Sequence, residues 1–428
     1  MKYTPINEVL SDKISGEWGV EPEGDYGVKV IRTANFTNLG VIDFSNIVLR
    51  KIESKKIEQK KLISCDVIIE KSGGSPAQPV GRVVYFENPD NSIYLCNNFT
   101  TALRPNKSIV FPKYLFYILF YNHLTKRTLR FQNKTTGIIN LRLENYLRSK
   151  IPLPPLDDQI RIAAVLTRVE KLISKRKESI KALDELLKST FLEMFGDPQI
   201  NPKDFPLVEL HELYIDSKNG TKCGPFGSVL KKEEFVNNGI PVWNMDNISK
   251  SGQMVMPLRM WISLEKYRAL EAYSVLNGDV IISRAGTVGK MCVARMAHDE
   301  KSIISTNLIR VRFGNKLLPL YFVSLMNYCK GRVGRLKTGP DGAFTHMSTR
   351  VLDTLTFACP PIELQNQFAA IVEKVDLLKA KYNQSLGELE NLYGSLSQRA
   401  FKGELDLSKV PVVYEIEKKV ENIKMAGS

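Results

Sequence analysis

No Cys-x-x-Cys pair occurs in this 428-residue chain, whose six cysteines (Cys65, Cys96, Cys223, Cys292, Cys329 and Cys359) are scattered singly. That spacing argues against a zinc knuckle or a disulfide framework and fits a reducing cytoplasm. Histidine is scarcer: His123, His211, His298 and His346 lie far apart and suggest no metal site. Long apolar runs are missing. Tyr114–Phe120 is the most apolar stretch, far short of the roughly 20 residues a membrane span needs, and "MKYTPINEVLSDKI" has no signal-peptide core. The expectation is a cytoplasmic protein without a membrane partner. Catalytic signatures are missing as well. "NPDN" at Asn88 and "NPKD" at Asn201 lack the second proline and the aromatic of an amino-methyltransferase tetrapeptide. "AGTVGKM" at Ala285–Met291 crowds its glycines too closely for a phosphate loop, and reads as a turn whose backbone a partner can approach closely. No catalytic constellation and no cofactor of the chain's own are expected.

Acid is what the chain has little of where it matters. It carries 60 Lys+Arg against 46 Asp+Glu, a formal net charge of +14, which suggests a polyanionic partner. The excess is local: residues 91–150 hold ten basic residues and one acid, Glu144, and 301–350 hold nine and one, Asp341. Segments 1–150 and 200–357 are net basic, while 151–199 and 358–428 are near neutral. Unmixed sign on two separate stretches reads as two anion-binding faces.

What the chain does have is a repeat. "PPLDDQIRIAAVL" at Pro154–Leu166 answers "PPIELQNQFAAIV" at Pro360–Val372, 206 residues later and without a gap. Each double proline opens a helical pattern, where a missing N–H costs least. Alternating steps of four and three give Ile162, Leu166, Val169, Ile173, Arg176, Ile180, Leu183, Leu187, Thr190 and Met194 in the first. The second gives Phe368, Val372, Val375, Lys379, Tyr382, Leu386, Leu389, Tyr393, Leu396 and Ala400. Apart from Arg176, Thr190 and Lys379 this is a coiled-coil seam. The globular segments repeat more faintly. "DVIIEKSGG" from Asp66 matches "DVIISRAGT" from Asp279, strand-like runs leading into glycine turns; "PKYLFYIL" from Pro112 matches "PLYFVSLM" from Pro319, both buried helices. "TGIIN" at Thr136 matches "GAFTH" at Gly342. A first helix leading to the second globular segment, and a second running back, would form an antiparallel pair with a basic domain at each end.

On these residues the chain resembles the specificity subunit (S, HsdS) of type I restriction–modification systems. The double-proline openings with Gln159 and Gln365, the pairs Ala163-Ala164 and Ala369-Ala370, and "FGD" at Phe195–Asp197 carry the resemblance over residues 1–405. "CGPFGSVLKKEEFVNNGIPV" (Cys223–Val242), "GDVIISRAGTVGK" (Gly278–Lys290), "TGPDGAFTHMS" (Thr338–Ser348) and "EKSGGSPAQPVGRV" (Glu70–Val83) look like target-recognition motifs. The expected architecture is α+β: two α/β target recognition domains separated by two long antiparallel coiled-coil helices, a pseudo-two-fold repeat. Its segments are target recognition domain 1 at 1–150, spacer helix 1 (the family's central conserved region) at 151–199, target recognition domain 2 at 200–357, spacer helix 2 (the distal one) at 358–405 and a C-terminal tail at 406–428. The resemblance implies a non-catalytic DNA-recognition subunit whose domains each read half of a split, asymmetric target in double-stranded DNA. The helices would set the gap and dock two methyltransferase subunits, which restriction subunits can join. S-adenosylmethionine would belong to the methyltransferase subunits.

Recognition side chains do not transfer by resemblance, so candidates rest on chemistry: cations suit guanine and amides suit adenine in the major groove. Arg32, Asn35, Lys71, Ser72, Arg82, Lys134 and Thr135 are chosen in the first domain. Lys222, Ser228, Asn244, Arg284, Thr287, Lys290, Lys337 and His346 are chosen in the second. Aligning the copies sets Arg32 against Asn244 and Lys71 against Arg284. A stand-alone bipartite DNA-binding regulator is the alternative reading. Helix apolars expected outside the seam, Val165, Leu172, Leu186 and Phe191, weigh toward a subunit with partners.

Overall fold

In the computed structural model the described residues are 2–24, 26–75, 77–135, 138–226, 229–249, 252–284, 289–297, 299–329 and 349–411. They form two compact units, Met1–Lys177 with Ser385–Ser428, and Glu178–Gln384. The two long helices, Leu156–Phe195 (40 residues) and Ile362–Lys402 (41 residues), are therefore each divided between units. The sequence places the divisions at the helix ends instead. An amphipathic helix gains most of its stability by burying its apolar face, so each helix half belongs with the globular part that covers it.

In the first unit, strand Lys2–Pro5 pairs antiparallel with Lys150–Leu153, just before the first long helix. The main sheet is antiparallel, ordered Leu10–Ser15, Thr100–Pro105, Val67–Glu70, Val83–Tyr85. Val67 and Ile69 enter one core and Ile68 the other, so both faces are covered and the strand reads as one apolar run. A second sheet sets Val28–Ile31 between Val48–Arg50 and a parallel partner, Tyr94–Cys96. The glycine stretch after Glu70 is more than a turn. Ser72–Gly74 forms a strand on the hairpin Gln132–Thr135/Ile138–Leu141, with Gly73 at φ +95°, where a side chain would be strained. Under the main sheet lies helix Pro112–Leu124, and against it pack Ile162 and Leu166 of the first long helix with Ala400 and Phe401 of the second. Leu405 packs on the cluster that holds Ile6 and Val9, so the end of the second long helix meets the beginning of the chain.

The second unit repeats the plan. Leu207–Glu209 pairs with Thr356–Ala358. The main sheet runs Thr221–Cys223, Leu308–Val311, Val280–Ser283, Met291–Val293, the same antiparallel order as in the first unit. A second sheet again contains a parallel pair, Ile240–Trp243 with Ile303–Ile304. Helix Pro319–Tyr328 lies in the core with the adjoining long-helix ends. One expectation fails here. Phe191, expected outside the seam, is 2% exposed, and Phe195 is 4% exposed, whereas Thr190 and Met194 are only half buried. Phe191 meets Tyr321, Tyr328 and Phe368 at ring-centroid distances of 5.9, 5.5 and 5.6 Å. The last turns of this helix pack on the globular part as well as on the other helix, which moves the inward stripe by one residue.

Candidate nucleic-acid interface

Arg32 follows strand Val28–Ile31 and opens a 3-10 turn closed by Asn35. Asn35 Oδ1 accepts the Arg32 N–H (2.9 Å), and Nδ2 donates to the carbonyls of Asp43 (3.0 Å) and Asn46 (3.1 Å). Buried and fully engaged, Asn35 holds the loop rather than offering its amide outward. The Arg32 guanidinium also donates to the Asn46 carbonyl, at 3.1 Å, and stays partly exposed. Arg82 likewise turns inward. It grips Glu70 with two bonds of 2.9 and 2.7 Å and donates to the carbonyls of Phe36 (3.2 Å) and Thr33 (3.1 Å). This brace ties the end of strand Val67–Glu70 to the Arg32 turn.

Lys71, next in the chain, is anchored through its backbone to Phe99 (2.8 Å) and Leu141 (2.8 Å). Burial, then the nearby Lys60 and Lys13, depress its ammonium pKa, while Cys96 opposes them. Ser72 donates across the sheet to Asn140. Lys134 and Thr135 close the outer hairpin strand, opposite Ile139 and Ile138. Arg32, Lys71 and Ser72 are thus gathered at connected strand ends around the Glu70–Arg82 brace. Beyond the Pro112–Leu124 helix, Lys126, Arg127 and Arg130 are exposed, with Arg127 over the Tyr121 ring (5.1 Å) and Arg130 over Phe131 (4.8 Å). Exposed cations of this kind suit phosphates, which take half to two-thirds of protein–DNA hydrogen bonds.

Matching atoms recur in the second unit. Asn247 Oδ1 accepts the Asn244 N–H (2.9 Å) and its Nδ2 donates to the Val255 carbonyl (3.0 Å). Asn244 therefore occupies the place of Arg32, its own Oδ1 accepting from Met245 N–H (2.7 Å). Arg284 N–H donates to the Asn307 carbonyl (2.9 Å), as Lys71 does to Phe99, and its guanidinium sits over Phe226 at 5.8 Å. The expected alignment of Lys71 with Arg284 is thus present in the backbone bonding. Lys222 lies over Tyr273 (5.3 Å), and Lys290 N–H donates to Ser283 Oγ (3.2 Å). Ser228, Thr287, Lys337 and His346 lie outside the described residues, as does "GAFTH".

Part of the basic excess is internal. Asp66 and Asp279, 0% and 1% exposed at the side chain, are each gripped by one arginine through Nε and Nη2. Arg104 does so at 2.9 and 2.9 Å and Arg312 at 2.7 and 2.8 Å. Arg310 is buried against the carbonyls of Ser274 (2.9 Å) and Asn219 (3.0 Å). These three arginines count toward the basic stretches yet hold the fold together.

Residues 13–182 match the type I restriction modification DNA specificity domain family. The MjaVIII specificity subunit of Methanocaldococcus jannaschii is 24% identical over 286 residues, 64% of this chain and 66% of that protein, just under two thirds of its length. The StySPI specificity subunit of Salmonella potsdam is 23% identical over 410 residues (90% of this chain, 83% of the relative). The EcoKI specificity subunit of Escherichia coli K12 is 23% identical over 414 residues (89% and 83%). Over most of its length the chain is similar to type I specificity subunits, and residues 13–182 carry the match to the DNA specificity domain. The S subunit from M. genitalium shares the fold, with a TM-score of 0.56 at 15% identity over 94% of this chain and 96% of that one. A chain from a type I R-M system solved for its complex assembly and conformational transition gives 0.54 at 19% identity, over 94% and 98%. Specificity subunits are the non-catalytic, DNA-recognising components of their systems, and no described helix here is long and apolar enough to cross a membrane.

Sequence reasoning found Gln159 and Gln365 as motif letters and missed their work. Gln159 Oε1 accepts the Phe111 N–H (2.8 Å), and Nε2 donates to the carbonyls of Pro154 (2.9 Å) and Ile109 (3.2 Å). Gln365 Oε1 accepts the Leu318 N–H (2.8 Å), and Nε2 donates to the carbonyls of Pro360 (2.8 Å) and Lys316 (3.1 Å). The signal was an amide at the same helical position behind a double proline, twice.

Proposed function

We propose that the two units each read one half of a split, asymmetric DNA target, and that the paired long helices set the gap between the halves. The observation that carries this reading is one fold plan written twice with different side chains at matched places: Arg32 against Asn244, Lys71 against Arg284. A cation and an amide favour different bases, so the half-sites differ. Antiparallel helix pairing is supported within each unit by its own contacts. Tyr393 donates to Glu170 (3.3 Å) and Lys177 pairs with Glu390 (2.9 Å) in one; Lys379 pairs with Asp184 (2.5 Å) in the other. A pseudo-two-fold axis and a continuous antiparallel coiled coil would follow. At 1.5 Å per residue a 40-residue helix is about 60 Å long, enough to hold two reading heads a turn or more of duplex apart.

In this reading two methyltransferase subunits dock on the helices, bring S-adenosylmethionine and transfer the methyl group to adenine; restriction subunits can add to that complex. Support comes from leucines that neither unit buries. Leu172 and Leu392 are 47% and 45% exposed in the first unit, and at the repeat-equivalent places Leu378 and Leu186 are 41% and 48% exposed in the second. Matched apolar pairs suit two copies of one partner. Methylome sequencing of a host carrying the complete system tests the proposal: a split motif with a degenerate centre and unlike halves is expected. A continuous or palindromic motif would refute it.

A further inference from the structure

Two buried glutamines tie each long helix to the globular part beside it. Gln159 and Gln365 are the fourth residues of the long helices Leu156–Phe195 and Ile362–Lys402. They are 1% and 0% exposed, so water cannot stand in for their partners. Each carboxamide spends its acceptor and both amide hydrogens on main-chain groups from two different segments. One segment is the double proline that opens its own long helix. The other is the turn leading into the buried helix of the same unit, at Ile109 and Phe111 before Pro112–Leu124, and at Lys316 and Leu318 before Pro319–Tyr328. The six bonds fall between 2.8 and 3.2 Å.

A carboxamide of this length is the one side chain that offers an acceptor and a two-hydrogen donor without charge at such a reach. Glutamate keeps the acceptor and loses the donors. Methionine keeps the volume and loses both. Because these six partners are backbone, with the Cys359 sulfur a further contact of Gln365 Nε2 at 3.9 Å, the bond set is indifferent to which residues the recognition loops carry. It fixes the angle between a long helix and the globular part seated on it. A nearby brace points the same way: Tyr114 donates to the Pro152 carbonyl (2.8 Å) and Tyr321 to the Ala358 carbonyl (3.2 Å), again joining the buried helix to the strand ahead of the long one.

We propose that Gln159 and Gln365 are positioning residues for recognition: they clamp each reading domain to its long helix and thereby restrict the complex to one gap length. This rests on the split-target reading. The test uses the assembled complex with its methyltransferase subunits, on duplexes that carry both half-sites with gaps one or two base pairs shorter or longer than the native gap. Wild type should methylate the native gap alone. Gln159→Met and Gln365→Met should lower the native-to-adjacent gap preference at least tenfold, while both half-site sequences stay required. Gln159→Glu, which keeps one of the bonds, should fall between. Melting temperatures of the assembled complexes separate misfolding from loosening. A rate that drops equally at every gap, or an unchanged gap preference in either a Met or the Glu variant that assembles, overturns the proposal and leaves the glutamines purely structural. Wild type with no fixed gap would instead remove the split-target reading beneath it.

Discussion

The two units use the same backbone plan but fill the space beside their long helices differently. In the first, the Tyr117 hydroxyl donates to Glu170 (2.7 Å), lies 2.8 Å from Thr167 Oγ1, and Phe116 and Phe120 stack beside it. Tyr393 of the second long helix donates to the same Glu170. In the second unit the equivalent places hold Ser324, Asp376, Val323, Asn327 and Leu187. The rings are gone, and a cavity of about 1060 Å³ lies there, lined among others by Leu187, Val323, Ser324, Asn327, Phe368 and Asp376. Asp376 turns to Arg295 (3.5 Å) and to Gln253 Nε2 (3.2 Å). The difference teaches which interactions a duplicated fold can lose. Bonds from a side chain to main chain survive any change in their neighbours, as the two glutamines and the two turn asparagines show. Ring-on-ring filling depends on every partner, and only one unit has kept it here.

The largest effects should come from the buried rings, one in each unit. Tyr117→Ala deletes a buried ring and strands a hydrogen bond, and Phe191→Ala removes the ring that closes the second unit's core. Each should cost about 3–5 kcal/mol in urea unfolding. Ser324→Ala, at the place matching Tyr117, should stay within about 0.5 kcal/mol. Similar losses for Tyr117→Ala and Ser324→Ala would erase the contrast.

A smaller effect concerns charge. Burial raises the pKa of Glu170 above its ordinary carboxylate value, against the lowering effect of its two tyrosine donors and Lys113. A carboxyl with a raised folded pKa stabilises the fold while protonated. That contribution is complete below the ordinary value and is lost as pH climbs through the raised one, so at neutral pH the ionised group weighs against folding. Glu170→Gln keeps an acceptor for one hydroxyl, offers an N–H to the oxygen of the other and removes the charge. Thermal unfolding at pH 7.5 should show it as stable as wild type or more so, with a flatter pH dependence in the acid range. A clear loss of stability at pH 7.5 would mean that the charge itself holds the tyrosines. Smallest of all, Val323→Phe should partly fill the second unit's cavity and add about 0.5–1 kcal/mol; a loss above that size would show that the space is not free.

Much of this was legible in the sequence, because the strongest regularities have a local cause. The double prolines and the stepped apolar positions mark both long helices, and Ile162, Leu166, Phe368 and Val372 are buried as their spacing requires. The stripe departs from its heptads where a third surface joins in, at Phe191 and Phe195. The candidate interface was harder to read, since a cation's partner is set by strand register. Arg82 lies near glycines in the sequence, and only the pairing of Val67–Glu70 with Val83–Tyr85 brings Glu70 to it. Asn35 fits an adenine as well as it fits a turn; three main-chain groups decide for the turn. Gln159 was visible as a repeated letter, but its partners at Ile109 and Phe111 are nearly fifty residues away.

The claim that the helices measure the target can be tested with one variant of the assembled complex. Deleting one heptad from each helix at matched places, Lys175–Lys181 and Lys381–Gly387, keeps the apolar register and shortens the pair by about 10.5 Å, roughly three base-pair steps. Methylation is then measured on duplexes that keep both half-sites and vary only the gap. Activity at the native gap should disappear. It reappears at a gap about three pairs shorter if the rod can follow the roughly quarter turn or more of duplex rotation, and at none of the gaps if it cannot. A variant that still methylates the original, unshortened gap would contradict the account.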